Sequence, residues 1–308
     1  MSPSRRTVLL AALAAGLPVA ACTSTPTPEL AELVLATGPD GAVFREVGAA
    51  LAAALTDQLP HTRVIARPSA ASVENLRLMK EGTAQLGLSS LDSVADLDSL
   101  DGIRAVGRLY DSFLHLVVPE RSPIRTFADL AGRKVSLGPT ESGTEFTGTR
   151  LMKLLGVVAD DVRMAHSESA VQLEAGTIDA FLALTGIPTP AISGLVTKGF
   201  PIRLVSLKEQ ALALASAFAG PYVPVTIPAT TYGDLGANDT VAVPNLLLAS
   251  TSLSDDVVEI VTRTVFTDSA RIAAGHPEAS RINIRTGIAT GGVPLHPGAE
   301  RWFRSVKR

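Results

Sequence analysis

The sequence predicts an α/β protein built as two lobes, and three observations carry that prediction. Short β-like runs alternate with helix-like runs, the alternation occurs in two separate sets, and two long apolar strands join the sets. Alternation of this kind argues for parallel strands flanked by helices. Two sets joined twice argue for two lobes with two hinge strands.

The first set runs "AELVLATG" (31–38), the helix-like "AVFREVGAALAAALTDQL" (42–59), "HTRVIARP" (61–68), the helix-like "SVENLRLMKEG" (72–82) and "AQLGLSS" (84–90). The first joining strand lies in "RLYDSFLHLVVPERSP" (108–123), a longer apolar run closed by Pro119 and Pro123. A second set follows: "DLAGRKVSLG" (129–138), a helix from Ser142 to Leu155 stopped by Gly156, "VRMAHS" (162–167), the short helix "AVQLEAG" (170–176) and "IDAFLALTG" (178–186). The second joining strand, "DTVAVPNLLLAS" (239–250), precedes a helix at Ser254 whose first turn carries Asp255 and Asp256, acids that suit a helix N-terminus. Segments 114–120 and 241–250 are expected side by side as the connection between lobes.

Ahead of the fold, "SRRTVLLAALAAGLPVAAC" (4–22) has the layout of an export signal: two arginines, an apolar run, small residues, then the chain's one cysteine. The run from Thr7 to Ala21 reaches about 22 Å as a helix, short of the ~30 Å hydrocarbon core, and Pro18 interrupts it. Val19-Ala20-Ala21-Cys22 resembles a lipobox, with Cys22 as the lipid attachment point, and "SRRTVLL" resembles a twin-arginine signal with Val8 and Leu10 in place of the usual Phe and Lys. Residues 1–21 are then the export signal and 22–30, rich in Pro and Thr, a tether. Anchoring is expected on the outer face of the cytoplasmic membrane.

Composition narrows the function. Loss of residues 1–21 removes two arginines from 27 basic residues and leaves 25 against 30 acids, a net of −5, which argues against nucleic acid or an anionic membrane surface as partner. A single cysteine allows no internal disulfide. Aromatic residues are sparse, which disfavours a sugar cleft built on stacked rings.

Catalytic and metal patterns are missing from the sequence. His61, His115, His166, His276 and His296 are scattered without HxxxH or Cys/His spacing, so no metal or cofactor site is expected. Ser142-Gly143-Thr144 lacks the frame of a nucleophile elbow, and no phosphate loop occurs. A binding protein is therefore expected and not an enzyme.

Three strand-to-helix junctions carry the binding chemistry: "TGPDGAVF" (37–44), "PSAASVEN" (68–75) and "GPTESGTEF" (138–146). Each presents unpaired backbone N–H groups at a helix N-terminus, where a negative ligand group is favoured by about 0.3–1 kcal/mol. Small residues there let a ligand approach the backbone.

Four stretches, taken in order, give a family resemblance. "ASVENLRLMKEGTAQLGL" (71–88), "DLAGRKVSLGPTESGTEFTGTRLMKLLG" (129–156), "AVQLEAGTIDAFLALTGIPTPAI" (170–192) and "VPLHPGAERWF" (293–303) are similar to successive motifs of the TAXI branch of TRAP-transporter solute-binding proteins. The resemblance implies a two-lobed type II periplasmic-binding-protein-like fold with two hinge strands, lobe 1 at 31–116 and 243–308 and lobe 2 at 119–240. It implies a monomeric extracytoplasmic receptor that closes on a small carboxylate-bearing ligand, an amino acid such as glutamate or a related organic acid, for a TRAP-type membrane permease. A sensing subunit for a membrane histidine kinase is the alternative. The implied ligand-binding residues are Thr37, Gly38, Asp40, Gly41, Ser72, Asp92, Ser142, Gly143, Thr144, Gly186 and Pro188. Ser72 and Thr144 are expected to donate to a carboxylate, Gly38 and Gly41 to offer backbone N–H, and Asp92 to accept from an amino group. The sequence departs from the family where its TGGTGG loop reads Thr37-Gly38-Pro39-Asp40-Gly41-Ala42, its Tyr reads Phe44, and its Q-S-D reads Ser90-Leu91-Asp92.

Overall fold

A computed structural model describes residues 30–307. Cys22, the export signal and most of the tether lie outside the described residues.

The first set forms β1 (Glu32–Ala36), α1 (Val43–Gln58), β2 (Arg63–Arg67), α2 (Ser72–Lys80), β3 (Leu86–Ser90) and a short α3 (Leu91–Ala95). The 17-residue β4 (Ile103–Pro119) leads into β5 (Lys134–Ser136), α4 (Gly143–Leu155), β6 (Asp160–Val162), α5 (His166–Glu174) and β7 (Ala180–Thr185). Then come α6 (Pro190–Thr197), β8 (Ile202–Leu204), α7 (Lys208–Ala217), β9 (Val223–Ile227) and the long β10 (Asn238–Ser250). The helices α8 (Asp255–Thr267), α9 (Ser269–Ala273), α10 (Ile284–Gly287) and α11 (Pro297–Val306) complete the described chain.

Sheet order explains the two lobes. The strands run β2-β1-β3-β10-β4-β7-β5-β6, with β8 added to β4 and β9 to β10. Parallel β2, β1 and β3 make one lobe and parallel β6, β5 and β7 the other. Only β4 and β10 belong to both. In β4, residues 103–113 pair with 242–250 of β10, while 113–119 pair with β7 and β8. In β10, residues 245–249 pair with β3 and 238–242 with β9. The expected neighbours 114–120 and 241–250 therefore lie on adjacent strands, but the register is offset: β10 meets the earlier part of β4, because 114–119 is taken by the second lobe.

Both faces of the sheet are covered by apolar packing, as parallel strands require. One core joins α2, β4, β5, α4 and α7; a second holds α1, α8 and α11; a third holds α5 and α6. Local chemistry sets several boundaries. Ser142 caps α4 by accepting from Glu145 N at 3.0 Å, and Gly156 ends that helix in the left-handed region (φ 66°). "VRMAHS", read as one strand, divides: β6 stops at Val162 and α5 starts at His166. The C-terminal "PLHPG" is structural, since His296 Nδ1 accepts from Gly298 N at 3.2 Å and starts α11.

Candidate ligand-binding site

Asn75 shows how the sequence builds the floor of the site. Fully buried, its Nδ2 donates to Thr37 O and Leu88 O, both at 2.7 Å, and so ties the carboxyl ends of β1 and β3 to α2. The residues beyond those strand ends are thereby fixed, where open α/β sheets bind ligands.

All three junctions reach one cavity between the lobes. Its walls are Pro39, Ala42 and Phe44 from the first, Ala70, Ala71 and Ser72 from the second, and Ser142, Gly143 and Thr144 from the third. Ser90, Ser112, His166, Leu184, Thr185 and Asn245 complete it. The cavity measures about 20 Å³, room for about one water.

Two junctions share a design. In Pro68–Glu74 and Pro139–Glu145, a glutamate four residues on accepts from a loop amide: Glu74 Oε2 from Ala70 N at 2.5 Å and Glu145 Oε2 from Glu141 N at 2.6 Å. Both loops also hold a non-glycine residue at positive φ, Ala71 at 108° and Glu141 at 62°. Such backbone costs about 1–3 kcal/mol and concentrates at functional sites. The loops meet across the cleft, where Glu74 N donates to Glu141 O at 2.9 Å.

No charged side chain lines the cavity. Ser72 Oγ accepts from Ser90 N and Ser90 Oγ, both at 3.0 Å, and Asn245 Nδ2 donates to Ser112 Oγ at 2.9 Å. Thr144 Oγ1 accepts from Leu184 N at 3.0 Å and lies 3.1 Å from His166 Nε2. Burial lowers the His166 pKa to about 4, with nearby His115 adding to the shift, so the ring is neutral at pH 7. Among the described residues no cluster of His, Cys, Asp and Glu could hold a metal ion, and no helix is long and apolar enough to cross a membrane.

A match to the NMT1-like family spans residues 35–306. The chain belongs to the NMT1-like family. Among solved structures, MatC from Rhodopseudomonas palustris with bound malate matches with TM-score 0.57 and 13% identity over 90% of this chain and 99% of that one. XAC2383 from Xanthomonas citri bound to ATP matches with TM-score 0.52 and 12% identity over 90% and 96%. The amino acid ABC transporter substrate-binding protein AbpA from Streptococcus pneumoniae bound to L-arginine matches with TM-score 0.50 and 15% identity over 80% and 94%. These likenesses establish the two-lobed periplasmic-binding-protein-like fold.

Of the residues expected to bind ligand in this NMT1-like chain, Ser72, Ser142, Gly143 and Thr144 line the cavity. The other expected residues are placed elsewhere. Thr37 is buried behind the wall, where its hydroxyl donates to Arg67 O at 2.8 Å. Gly38 packs under Phe44, and Gly41, at φ 75°, packs against Ser167 across the cleft, where a Cβ would come within 2.8 Å of Ser167 N. Asp40 points outward, 3.9 Å from Arg45. At the start of α1, Val43 N donates to Thr185 Oγ1 at 3.1 Å. Gly186 and Pro188 form a different contact between the lobes: a Cβ on Gly186 would lie 3.1 Å from Glu278 Cγ, and Pro188 O lies 2.9 Å from His276 Nε2.

Asp92 needs the largest correction. Its carboxylate is fully buried and accepts from Ser93 N at 2.8 Å, Thr147 Oγ1 at 2.5 Å and Tyr222 OH at 2.9 Å. It does not line the cavity and has no open face for a ligand amine. Thr147 and Tyr222 belong to the second lobe, so Asp92 joins lobe to lobe. Arg150 extends the contact: it donates to Tyr222 OH at 3.2 Å, bonds Asp96, and lies 4.3 Å from the ring centroids of both Phe146 and Phe218. On the rim, Arg77 Nε meets Glu141 Oε2 at 3.1 Å.

Sequence reasoning missed Ser90, Ser112, His166, Thr185 and Asn245 as wall residues. Ser112 and Asn245 left only a weak signal: each is a polar residue in a joining strand, but those strands carry others, among them Arg108, Asp111, His115, Asp239 and Thr240. His166 left none, because its segment reads as a strand.

Proposed function

We propose that this chain is the extracytoplasmic solute-binding receptor of a TAXI-type TRAP transporter, anchored by lipid at Cys22 and delivering a small carboxylate-bearing ligand to a membrane permease. Residues 31–116 and 243–308 act as one lobe and 119–240 as the other, turning on β4 and β10. The observation that carries the reading is the convergence of the α2 and α4 N-termini, from opposite lobes, on one neutral cavity. Helix ends attract a carboxylate, and hydroxyls and amides hold it without a fixed countercharge. The receptor reading is supported by the fold and by the family match.

The ligand is a carboxylate without need of an ammonium group. Asp92, the acid that suited an amine, is buried outside the cavity and accepts instead from Ser93, Thr147 and Tyr222. Closure would differ between the open and ligand-bound forms by the contacts between lobes, and ligand binding shifts that population. Native mass spectrometry of gently purified full-length protein tests the reading. A co-purified small organic acid is the expected result; a closed, compact protein with no adduct and no response to any organic acid would contradict it. Cys22→Ser should release the protein from the membrane fraction, and unchanged retention would remove the anchor from the account.

A further inference from the structure

We propose that His166 is a ligand-recognition residue that donates a hydrogen bond, through Nδ1–H, to an oxyanion of the ligand, a carboxylate or a sulfonate. The inference rests on the receptor reading above and deepens it by naming the donor and the group it selects.

A proton count carries it. Leu184 N–H occupies one lone pair of Thr144 Oγ1 at 3.0 Å, and the acceptor within reach of the threonine's own proton is His166 Nε2, at 3.1 Å. Nε2 as acceptor uses that proton within the protein, and the ring proton of a neutral imidazole then sits on Nδ1. That nitrogen has no partner in the protein, although His166 is only 2% exposed. A buried N–H without an acceptor is rare in folded proteins and calls for one.

The surroundings say which acceptor. His166 lines the cavity with Thr144, next to the start of the 13-residue α4, whose first amides have no acceptor within the helix. Ser72 Oγ accepts two hydrogen bonds from Ser90 and so has its own proton to give. Neither lysine nor arginine lines the space. The set offers neutral donors, which suits a group whose atoms are all acceptors. A neutral imidazole also leaves this recognition independent of pH across the range where an exposed histidine would titrate.

Long-range nitrogen-proton NMR on the full chain, labelled with ¹⁵N-histidine, reads the tautomer directly. An Nδ1–H ring is expected; an Nε2–H ring overturns the proposal. Calorimetry with succinate, L-glutamate and ethanesulfonate as probes then tests the contact and separates carboxylate from sulfonate. For a probe that binds, His166→Phe should weaken affinity about 10- to 100-fold. His166→Asn, whose amide nitrogen takes the place of Nδ1, should recover most of that loss. His166→Gln, which mimics Nε2, should not. Equal losses in the Asn and Gln variants, or no loss in the Phe variant, overturn the assignment and leave the receptor reading standing. Failure of all three probes to bind wild type at about 10 mM overturns the oxyanion class, while a change in lobe separation with some other solute would keep the receptor.

Discussion

The cavity and the contact beside it both join the same two lobes, yet they are chemically opposite. Ser72, Ser90, Gly143, Thr144 and His166 bring hydroxyls, amides and a neutral imidazole together with no charge among them. Asp92, Arg150, Asp96 and Tyr222 bring charges together a short distance away, with each carboxylate matched to donors from the opposite lobe. In low dielectric an unmatched charge is costly, so charges serve where the partner is always the protein, and neutral donors serve where the partner comes and goes. Asp92, which the family resemblance placed at the ligand, is bonded across the lobes to Thr147 and Tyr222 instead.

The largest effect is expected from a side chain that fills the cavity and leaves the charged residues unchanged. A Cβ on Gly143 would lie 2.8 Å from Ser72 Oγ and 3.1 Å from Ser90 Oγ, both on the other lobe. Gly143→Ala should therefore oppose closure by up to about 3 kcal/mol, with the fold of each lobe intact. Small-angle scattering should show a more extended molecule with an unchanged far-ultraviolet spectrum; wild-type dimensions would mean that the lobes are not closed on this cavity.

Acid tests the neutrality of the cavity. Burial lowers the pKa of His115 and of His166 to about 4, and His296 moves in the same direction. The unfolded chain takes up these protons first, so this stability is intact above about pH 6.5 and is lost as pH falls towards 4. Glu278 runs the other way: burial raises it to about 7, so its contribution is greatest below about pH 4.5 and fades as pH rises through 7. With two of the histidines set against one glutamate, acidification from pH 6.5 to 4.5 should cost about 2–3 kcal/mol. Denaturant midpoints across that range check it, and Glu278→Gln should steepen the loss.

The charged contact should respond less. Tyr222→Phe removes a donor to Asp92 and a partner of Arg150, and should weaken closure by about 1–2 kcal/mol without altering cavity residues. The smallest effect belongs to Arg77→Ala on the exposed rim, where solvent screens the pair with Glu141 and closure should be nearly unchanged. A larger effect for Arg77 than for Tyr222 would reverse the proposed order of importance.

Much of this was legible in the chain itself. Strand and helix alternation placed β1 to β3 and α4, because period and punctuation are local properties, and Gly156 and Ser254 ended or began helices by capping chemistry that needs no tertiary context. The three junctions could be named for the same reason. Register could not, since the offset of β4 against β10 depends on how both lobes share one strand. Nor could side-chain direction: Thr37, Gly38, Asp40, Gly41, Gly186 and Pro188 lie close in sequence to the right loops but face strands, solvent or the opposite lobe. His166 was hidden because a segment of six residues held both the end of a strand and the start of a helix.

If the lobes close through Asp92 beside a separate neutral cavity, a distance across the cleft must depend on Asp92. Spin labels at exposed Thr83 and Lys153, introduced as cysteines in a Cys22→Ser background, report on the far ends of α2 and α4. Pulsed electron resonance should show a short distance in the parent protein, and a longer one should become dominant in Asp92→Ala, which removes about 3 kcal/mol of buried bonding between lobes. The same distance in both proteins, with the Asp92→Ala fold intact, would contradict the account.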